Sequence, residues 1–271
     1  MQAKTLAKKW LPPALLEYLK PLHGRAIYFS GVYPDWAIAS THASGYDSAL
    51  ILERVRQAMF RIKSGEAVYE RDSVVFDKVQ HSFPVLAGLL RAALENSNRL
   101  AVLDFGGSLG SSYFQCRDFL SVVSSLQWGV VEQEHFVRCG KADFETEQLR
   151  FFFTIAECMA QASPNVALLS SVLQYLPQPY KLLDDLIAER IQYVVIDRTP
   201  FSDASVDHIT IQHVPPSIYP ASYPCRVFSR QGFLDRLHGR YDVIAQFDSN
   251  DGRASMKGLE FAFGGMILRK T

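Results

Sequence analysis

The chain has 271 residues, and its 28 lysine and arginine residues balance its 28 aspartate and glutamate residues. This length suits one large domain, and 48% hydrophobic with 21% charged residues is ordinary globular composition. Because a neutral chain has no basic surface to hold a phosphate backbone, we expect no nucleic-acid partner. The four cysteines form no Cys-x-x-Cys pair, which argues against a disulfide framework or a metal site and favours a reducing, cytoplasmic location.

The first 98 residues are predicted to form a mostly helical N-terminal cap, and residues 99–271 the core. Lysines beside Trp10 and Leu11, within residues 4–11, leave two alternatives: contact with an anionic membrane surface, or a helix packed on the domain. No apolar run is long enough to span a membrane. Apolar periodicity predicts a helix over residues 46–64, and a proline in the first turn indicates another over residues 84–96.

The stretch Leu100-Ala-Val-Leu-Asp-Phe-Gly-Gly-Ser-Leu-Gly110 is the most informative in the chain. Its apolar first half predicts a buried parallel strand that ends in an acid. The glycines let the backbone turn tightly and approach a ligand, and a helix follows whose free N–H groups would face that ligand. This pattern predicts a nucleotide site. The dinucleotide fingerprint Gly-x-Gly-x-x-Gly fails here at two of its three positions.

A second apolar strand, Gln127-Trp-Gly-Val-Val-Glu132, also ends in an acid. An acid at the tip of the strand after a glycine turn can accept both hydroxyls of a ribose. Glu132, with Gln133 beside it, is therefore the predicted ribose-binding residue; a solvated carboxylate at a strand end is the alternative.

From residue 100 onward, predicted strands and helices alternate, which indicates a mostly parallel sheet with right-handed crossovers. A short polar link between the last two strands predicts a terminal antiparallel hairpin. The predicted fold class is α/β, Rossmann-like, with a seven-stranded sheet. The predicted strands are residues 100–105, 127–132, 148–154, 166–171, 191–197, 241–247 and 258–268. The predicted helices of this part are residues 110–124, 134–140, 155–161, 179–189 and 229–238.

The carboxyl ends of parallel strands are where open α/β sheets bind their ligands. Ser170 and Ser171 end one predicted strand, and Gln174 and Tyr175 follow at the lip of the expected pocket. The serines are equally suited to capping. Asp197 and Arg198 end the next strand, where they are placed to orient a polar acceptor or to form a structural ion pair.

The segment 201–225 is long for a connection inside a compact domain, which predicts a substrate lid. The alternation of polar and apolar residues over 207–213 indicates a short strand within it. It contains His208 and His213, which are five residues apart and should point to opposite faces of an extended chain, so they are not expected to share a metal. Either histidine, or Asp197, is a candidate general base for a hydroxyl proton.

The motif Asp104-x-Gly-x-x-x-Gly110, together with Leu169-Ser-Ser-Val-Leu-Gln-Tyr175, resembles class I S-adenosylmethionine (SAM) methyltransferases. This resemblance implies SAM as cofactor, with its methionine end held by a set of residues in and after the strand. That set is Asp104, Phe105, Gly106, Gly107, Ser108 and Gly110. The Asn/Asp-Pro-Pro-aromatic motif of nucleic-acid amino methyltransferases is missing at 170–177, which opposes a base as acceptor.

Further stretches, including Tyr69-Glu-Arg-Asp-Ser-Val74, Trp128-Gly-Val-Val-Glu-Gln133 and Ile196-Asp-Arg-Thr-Pro-Phe201, resemble a narrower group of methyltransferases from bacterial surface-polysaccharide gene clusters. Ser108 belongs to the pattern of that group. The resemblance implies a sugar hydroxyl as acceptor. The N-terminal region of such enzymes often closes over the cofactor, which makes Tyr69 and Arg71 further cofactor-binding candidates. Arg71 would form an ion pair with the carboxylate of the cofactor's methionine end. A solvated turn is the alternative for both.

The sequence therefore predicts a bacterial, cytoplasmic SAM-dependent methyltransferase with a small polar or glycan acceptor. Two other functions stay open. One is a non-catalytic SAM-binding scaffold in glycan assembly, and the other is a nicotinamide-dependent oxidoreductase, which the glycine pattern opposes.

Overall fold

The computed structural model describes residues 27–45, 48–67, 69–71, 74–76, 78–189, 191–216, 218 and 220–271. Within these ranges the strands are β1 Tyr28–Tyr33, β2 Tyr69–Arg71, β3 Val74–Phe76, β4 Arg99–Phe105, β5 Ser125–Val131, β6 Leu149–Phe152, β7 Val166–Ser170, β8 Tyr193–Ser202, β9 His208–Val214, β10 Ala221–Ser229, β11 Tyr241–Met256 and β12 Leu259–Lys270. The α-helices are α1 Trp36–His42, α2 Ser48–Lys63, α3 Phe83–Leu94, α4 Ser111–Cys116, α5 Glu134–Asp143, α6 Ile155–Ala162, α7 Pro179–Ala188 and α8 Arg230–Leu237. Two 3-10 turns cover Phe119–Val122 and Leu173–Tyr175.

Seven strands form the core of the main sheet in the order β6-β5-β4-β7-β8-β12-β11. The strands from β6 to β8 are parallel, whereas β12 runs antiparallel to both β8 and β11. The predicted mostly parallel sheet with a terminal antiparallel hairpin is therefore confirmed. The sheet has ten strands among the described residues and not the predicted seven, because β1, β9 and β10 join it as well. The strands form here because continuous apolar runs such as Val166–Leu169 are buried on both faces of the sheet.

Helices cover both faces of this core. One apolar cluster joins the sheet to α2, α3, α4 and α5, and the other joins it to α6, α7 and α8. This three-layer arrangement leaves the carboxyl ends of β4, β5, β7 and β8 at one edge of the core. The predicted glycine turn, Glu132, Ser170 and Asp197 lie at that edge.

The N-terminal region differs from the predicted helical cap. The two predicted helices are present as α2 and α3, but the region also contains β1 and the hairpin of β2 with β3. β1 pairs antiparallel with β9 and so belongs to the main sheet. The domain boundary after residue 98 stays a prediction, and the segment 4–11, with its expected membrane contact, lies outside the described residues.

The segment 201–225 is built mostly from sheet strands and is not the separate lid predicted from its length. β9 and β10 pair with each other, and the end of β10 pairs parallel with the end of β8 at Phe201 and Ser202. Together with β1 they form a three-stranded antiparallel extension beyond the carboxyl ends of the core. The alternation of polar and apolar residues over 207–213 was the sequence signal for this strand pairing.

The helix predicted over 110–124 is shorter than expected. It ends at Cys116 and is followed by the 3-10 turn 119–122. There the hydroxyl of Ser121 donates to the carbonyl of Asp118 at 2.7 Å and competes with helical hydrogen bonding. None of the helices in the described ranges is both long and apolar enough to cross a membrane.

Candidate active site at the carboxyl ends of the core strands

The turn between β4 and α4 is shaped by left-handed backbone. Gly106, Ser108 and Gly110 all have positive φ values, of 73°, 56° and 90°. The amide of Gly106 donates to the carbonyl of Val131 at 2.9 Å, which ties the turn to the tip of β5. Ser108 adopts a conformation that favours glycine, and such residues persist only where the surrounding structure holds them. The predicted glycine turn is present.

Asp104 lies beneath this turn and is almost fully buried. The indole N–H of Trp128 donates to its Oδ2 at 2.9 Å. Burial raises the pKa of Asp104 to about 7, although the hydrogen bond from Trp128 opposes the rise. A Cβ at Gly107 would lie 2.5 Å from the carboxyl carbon of Asp104, so only glycine fits there. The carboxyl of Asp104 therefore packs directly against the backbone of the turn at Gly107.

Glu132 lies at the neighbouring strand tip, just after β5, with Gln133 next to it. Its carboxylate accepts a hydrogen bond from the amide of Gln133 at 2.6 Å. Burial raises the pKa of Glu132, and the backbone amides of Gln133 and Ser108 counteract the rise. The acid predicted to bind ribose thus lies directly beside the glycine turn. Its side chain is only partly exposed.

An open groove lies between α6 and α7, next to the tips of β4 and β5. It is lined by Phe105 and Val131 at the strand tips and by residues 153–156, which lead from β6 into α6. The ring of Phe153 is 40% exposed, so an apolar surface is available beside the tip of β5. Sequence reasoning missed residues 153–156; their position at the tip of the third parallel strand was the signal that could have found them.

The tips of β7 and β8 adjoin each other. Ser170 pairs with Asp197 across the two strands, and the amide of Ser171 donates to the carbonyl of Asp197 at 3.0 Å. Just beyond this pair, Ser171 and Arg198 both have left-handed backbone, with φ values of 55° and 53°. Each such residue costs of order 1–3 kcal/mol. The structure therefore holds strained residues at two neighbouring strand tips.

Asp197 is buried, and burial raises its pKa to about 6. The charge of Arg198 and a hydrogen bond from Ser82 oppose the rise. The Oδ1 atom of Asp197 has no hydrogen-bond partner among the described residues. Burial raises the pKa of the Cys116 thiol to about 12, and the charges of Asp104 and Asp197 add to the rise.

The Arg198 side chain turns toward the terminal hairpin. Its Nε donates to Oδ2 of Asp251, on β11, at 2.7 Å, and both side chains are about one-fifth exposed. The partner of Arg198 in this ion pair is a residue of the hairpin that the sequence did not indicate. It links the tip of β8 to the hairpin.

The β2–β3 hairpin packs against the start of α4. The hydroxyl of Ser111 donates to the buried carboxylate of Glu70, and Tyr69 beside it is buried as well. The N-terminal region thus reaches the helix that follows the glycine turn. Tyr69 lies on the same short strand as Glu70, whereas the side chain of Arg71 lies outside the described part of the structure. Glu70 was missed as a candidate because it stood in a run of charged residues.

The two histidines point to opposite faces of β9, in agreement with their spacing. His213 stacks on Tyr28 with ring centroids 4.3 Å apart, and its Nε2 lies 2.7 Å from the hydroxyl of Ser30. Gln212, on the other face, receives a hydrogen bond from Tyr175 at 3.0 Å. His213 is therefore turned away from the strand tips, and the structure does not bring it to the candidate general-base position.

His208 lies on the face of β9 that carries Gln212. Its Nδ1 is buried and has no partner among the described residues. The catalytic roles of Asp197, Arg198 and His208 stay predictions. No group of three or more histidine, cysteine or acidic side chains in the described part of the chain could hold a metal ion.

No protein-family model matches the chain, and no curated protein matches it. Solved structures to which it is similar include the N-terminal domain of EvdMO1 in the presence of S-adenosylhomocysteine (SAH) and D-fucose, with 15% identity over 83% of this chain and 98% of that one and a TM-score of 0.46. Another is the magnesium protoporphyrin IX methyltransferase ChlM from Synechocystis PCC 6803 with bound SAM, with 11% identity, coverage of 84% and 99%, and a TM-score of 0.43.

A third is the 1,6-didemethyltoxoflavin-N1-methyltransferase of Burkholderia thailandensis with its substrate and SAH bound, with 15% identity, coverage of 84% and 92%, and a TM-score of 0.40. At these identities and TM-scores the likenesses do not identify what this chain binds. Its function has to be inferred from the site.

Proposed function

We propose that this protein is a SAM-dependent methyltransferase that acts on a small polar or glycan acceptor. The observation that carries the proposal is the glycine turn over the buried Asp104, with Glu132 at the adjacent strand tip. A tight turn of this kind, followed by a helix, gives a ligand close access to backbone amides. The resemblance of the motifs to class I methyltransferases supports SAM over other nucleotides.

The residues present fit this cofactor in shape and charge. Gly107 leaves no room for a side chain above Asp104, and the groove beside Phe105 and residues 153–156 offers an apolar surface suited to an adenine ring. Burial raises the pKa of Asp104, Glu132 and Asp197. A cationic ligand favours the charged form of such carboxyls, and SAM carries a sulfonium and an ammonium group.

In this proposal the turn residues 106–110 hold the methionine end, Glu132 accepts the ribose hydroxyls, and the groove takes the adenine. When bound, SAM supplies an activated methyl group for displacement by the acceptor. The protein's contribution is alignment and exclusion of water. Asp197, with a pKa raised to about 6, is ionised at neutral pH, and its Oδ1 can receive the proton that an acceptor hydroxyl releases.

The finer assignment extends this proposal. We place the protein in the cytoplasm of a bacterium, with a sugar hydroxyl of a surface polysaccharide as acceptor. The support is the resemblance of the motifs at 69–74, 128–133 and 196–201 to methyltransferases of polysaccharide gene clusters. A neutral protein with polar and aromatic residues near the strand tips suits an uncharged, hydroxyl-rich acceptor.

Isothermal titration calorimetry with SAM and SAH tests the cofactor. We expect both to bind, and Glu132→Ala to weaken binding by about tenfold or more through loss of the ribose contacts. Glu134→Ala, which removes an exposed carboxylate paired with Arg138, is the matched control and should bind normally. A folded protein that binds neither ligand would overturn the proposal.

Methyl transfer is then measured with labelled SAM and surface glycan from cells that lack the protein. Incorporation of label into the glycan is expected. Tight SAM binding without transfer to any glycan fraction would favour the scaffold function instead.

A further inference from the structure

The outermost strand of the sheet extension, β1, and the helix after it carry a group of exposed apolar side chains. Four large residues within 27–38 are between 41% and 58% exposed: Ile38, Ile27, Val32 and Tyr28. We call these four residues the β1 patch. Asp35 is the only charged residue in this stretch, and its Oδ1 caps α1 by accepting a hydrogen bond from the amide of Ile38 at 2.8 Å. Single exposed apolar residues are normal on a protein surface, whereas a group of them indicates a contact surface.

β1 is anchored to the protein on one face and exposed on the other. On the inner face, the rings of Phe29 and Phe261 meet edge to face with centroids 5.0 Å apart. On the outer face, Tyr28 lies opposite His213 in the strand pairing and stacks on its ring, with an angle of 4° between the two planes. The ring of Tyr28 is therefore held in one orientation although more than half of the residue is exposed.

Helix α1 lies on the same outer face. It contacts β1, β9 and β10. Just after it, the amide of Ser44 donates to the hydroxyl of Ser222 at 2.8 Å, and Ser222 pairs with His213 across β9 and β10. Paired residues of neighbouring strands point to the same face of a sheet, so Ser222, His213 and Tyr28 share one face. Ile38 on α1 and Tyr28 on β1 thus belong to the same outer layer of the extension.

The residues that precede the β1 patch are basic. Residues 1–26 contain five lysines and arginines and one glutamate, whereas residues 27–271 contain the other 23 basic and 27 acidic residues. The chain is neutral as a whole, but four excess positive charges precede the β1 patch and four excess negative charges follow it. The basic residues are Lys4, Lys8, Lys9, Lys20 and Arg25, and Trp10 and Leu11 stand among them.

A membrane surface with anionic lipids matches both features. Lipid phosphates attract lysine and arginine, with a gain in affinity of roughly fivefold for each residue near the surface. Tyrosine and tryptophan favour the boundary between headgroups and acyl chains, because one end of each side chain is apolar and the other is polar. A nucleic acid would attract the basic residues but would leave the aliphatic side chains of the β1 patch in water. The excess negative charge of residues 27–271 is repelled by anionic lipids, which favours an orientation with the β1 patch toward the membrane.

We propose that residues 1–26 and the β1 patch together bind the surface of an anionic membrane. The basic side chains pair with lipid phosphates, while Ile27, Tyr28 and Val32 enter the headgroup region. The binding is peripheral and reversible. This inference does not depend on the proposed methyltransferase function, because none of these residues belongs to the candidate active site.

Flotation of the full-length protein with lipid vesicles tests the inference. One set of vesicles is phosphatidylcholine alone, and the other is a mixture of phosphatidylcholine with anionic phosphatidylglycerol. We expect binding to the anionic vesicles to be stronger by about tenfold or more. At about 1 M salt, where the screening length is about 3 Å, this preference should disappear.

The electrostatic part is tested with Lys4→Gln, Lys8→Gln and Lys9→Gln combined. The loss of three basic residues should weaken binding to the anionic vesicles by about tenfold or more. The matched control removes the same charge at exposed lysines elsewhere, by combining Lys78→Gln, Lys141→Gln and Lys257→Gln. Its binding should stay within about threefold of wild type, because charges far from the membrane are screened.

The apolar part is tested with Ile27→Ser and Val32→Ser combined, which leaves the stacked pair of Tyr28 and His213 intact. Losing these two apolar side chains should weaken binding to the anionic vesicles by about tenfold or more. The matched control combines Leu94→Ser and Val122→Ser, which are exposed outside the β1 patch, and should bind like wild type. Circular dichroism verifies that each variant is folded.

Three results would overturn the inference. These are failure of the wild-type protein to bind anionic vesicles, equal binding to both kinds of vesicle, or losses in the patch variants no larger than in their controls. Sedimentation velocity without lipid adds a further outcome: a dimer that dissociates in the variant with Ile27→Ser and Val32→Ser, without vesicle binding by the wild type, would assign the β1 patch to a second copy of the chain. SAH binding is measured on the same samples, and its failure would refute the proposed function without affecting this inference.

Discussion

Asp104→Asn is the most direct test of the buried carboxyl beneath the glycine turn. Burial raises the pKa of Asp104 from 3.8 to about 7. Ionisation of this group is therefore about 4 kcal/mol less favourable in the folded protein than in the unfolded chain. Because asparagine has nearly the same shape and can accept the hydrogen bond from Trp128, the variant removes the charge and leaves the packing.

The sign of the effect follows from the raised pKa. The contribution of Asp104 to the free energy of unfolding is complete below about pH 4 and is lost as the pH rises through about 7. Between about pH 5 and about pH 8 the wild-type protein should lose roughly 3 kcal/mol through this group. In Asp104→Asn that part of the pH dependence should be absent.

The measurement is urea unfolding at several pH values, followed by far-ultraviolet circular dichroism. The difference between wild type and variant reports Asp104 together with its coupling to Glu132, since the other titrating groups are shared. Asp118→Asn, which neutralises a carboxylate whose side chain is 92% exposed, is the control and should leave the pH dependence unchanged. Parallel pH profiles for wild type and Asp104→Asn would refute the assignment of a buried, poorly ionised carboxyl.

Two further substitutions probe the same turn. Gly107→Ala places a methyl group 2.5 Å from the carboxyl carbon of Asp104. We expect the free energy of unfolding to fall by about 2 kcal/mol and SAH binding to weaken. Gly232→Ala is the control and should change the free energy of unfolding little, because the nearest atom to its new methyl group lies at 3.3 Å. Trp128→Phe removes the N–H that favours the ionised carboxylate, so the pKa of Asp104 should rise further; carboxyl-selective NMR titration measures it, and an unchanged or lower pKa would contradict the contact.

The core of the fold was predictable because its signals are local. The run Leu100–Leu103 has no polar position, and only a strand buried on both faces places such a run out of water. Helix α2 follows from apolar residues at helical spacing. It ends at Lys63, and Gly65 follows with a positive φ, as is usual at a helix C-terminus. Glu132 and Asp197 were placed at the same edge of the sheet because parallel strands end at one edge.

The strand extension was not predictable in the same way. Tyr28 pairs with His213, and Gly45 with Ser222, across most of the chain. Such a pairing depends on which strand edge of the folded sheet is free to accept another strand. No local pattern in residues 28–33 predicts that this edge belongs to β9. The length of the segment 201–225 suggested a lid, but most of its residues form β9 and β10 of the main sheet.

The sequence by itself determined the order of strands and turns in the core, because apolar periodicity and glycine placement act over a few residues. Only the tertiary structure decided where each polar side chain points. It placed the carboxyl of Asp104 against Trp128, turned His213 toward Tyr28, and joined Gln174 to Arg198. These contacts depend on strand register and on burial between layers, which are set by residues far apart in the chain.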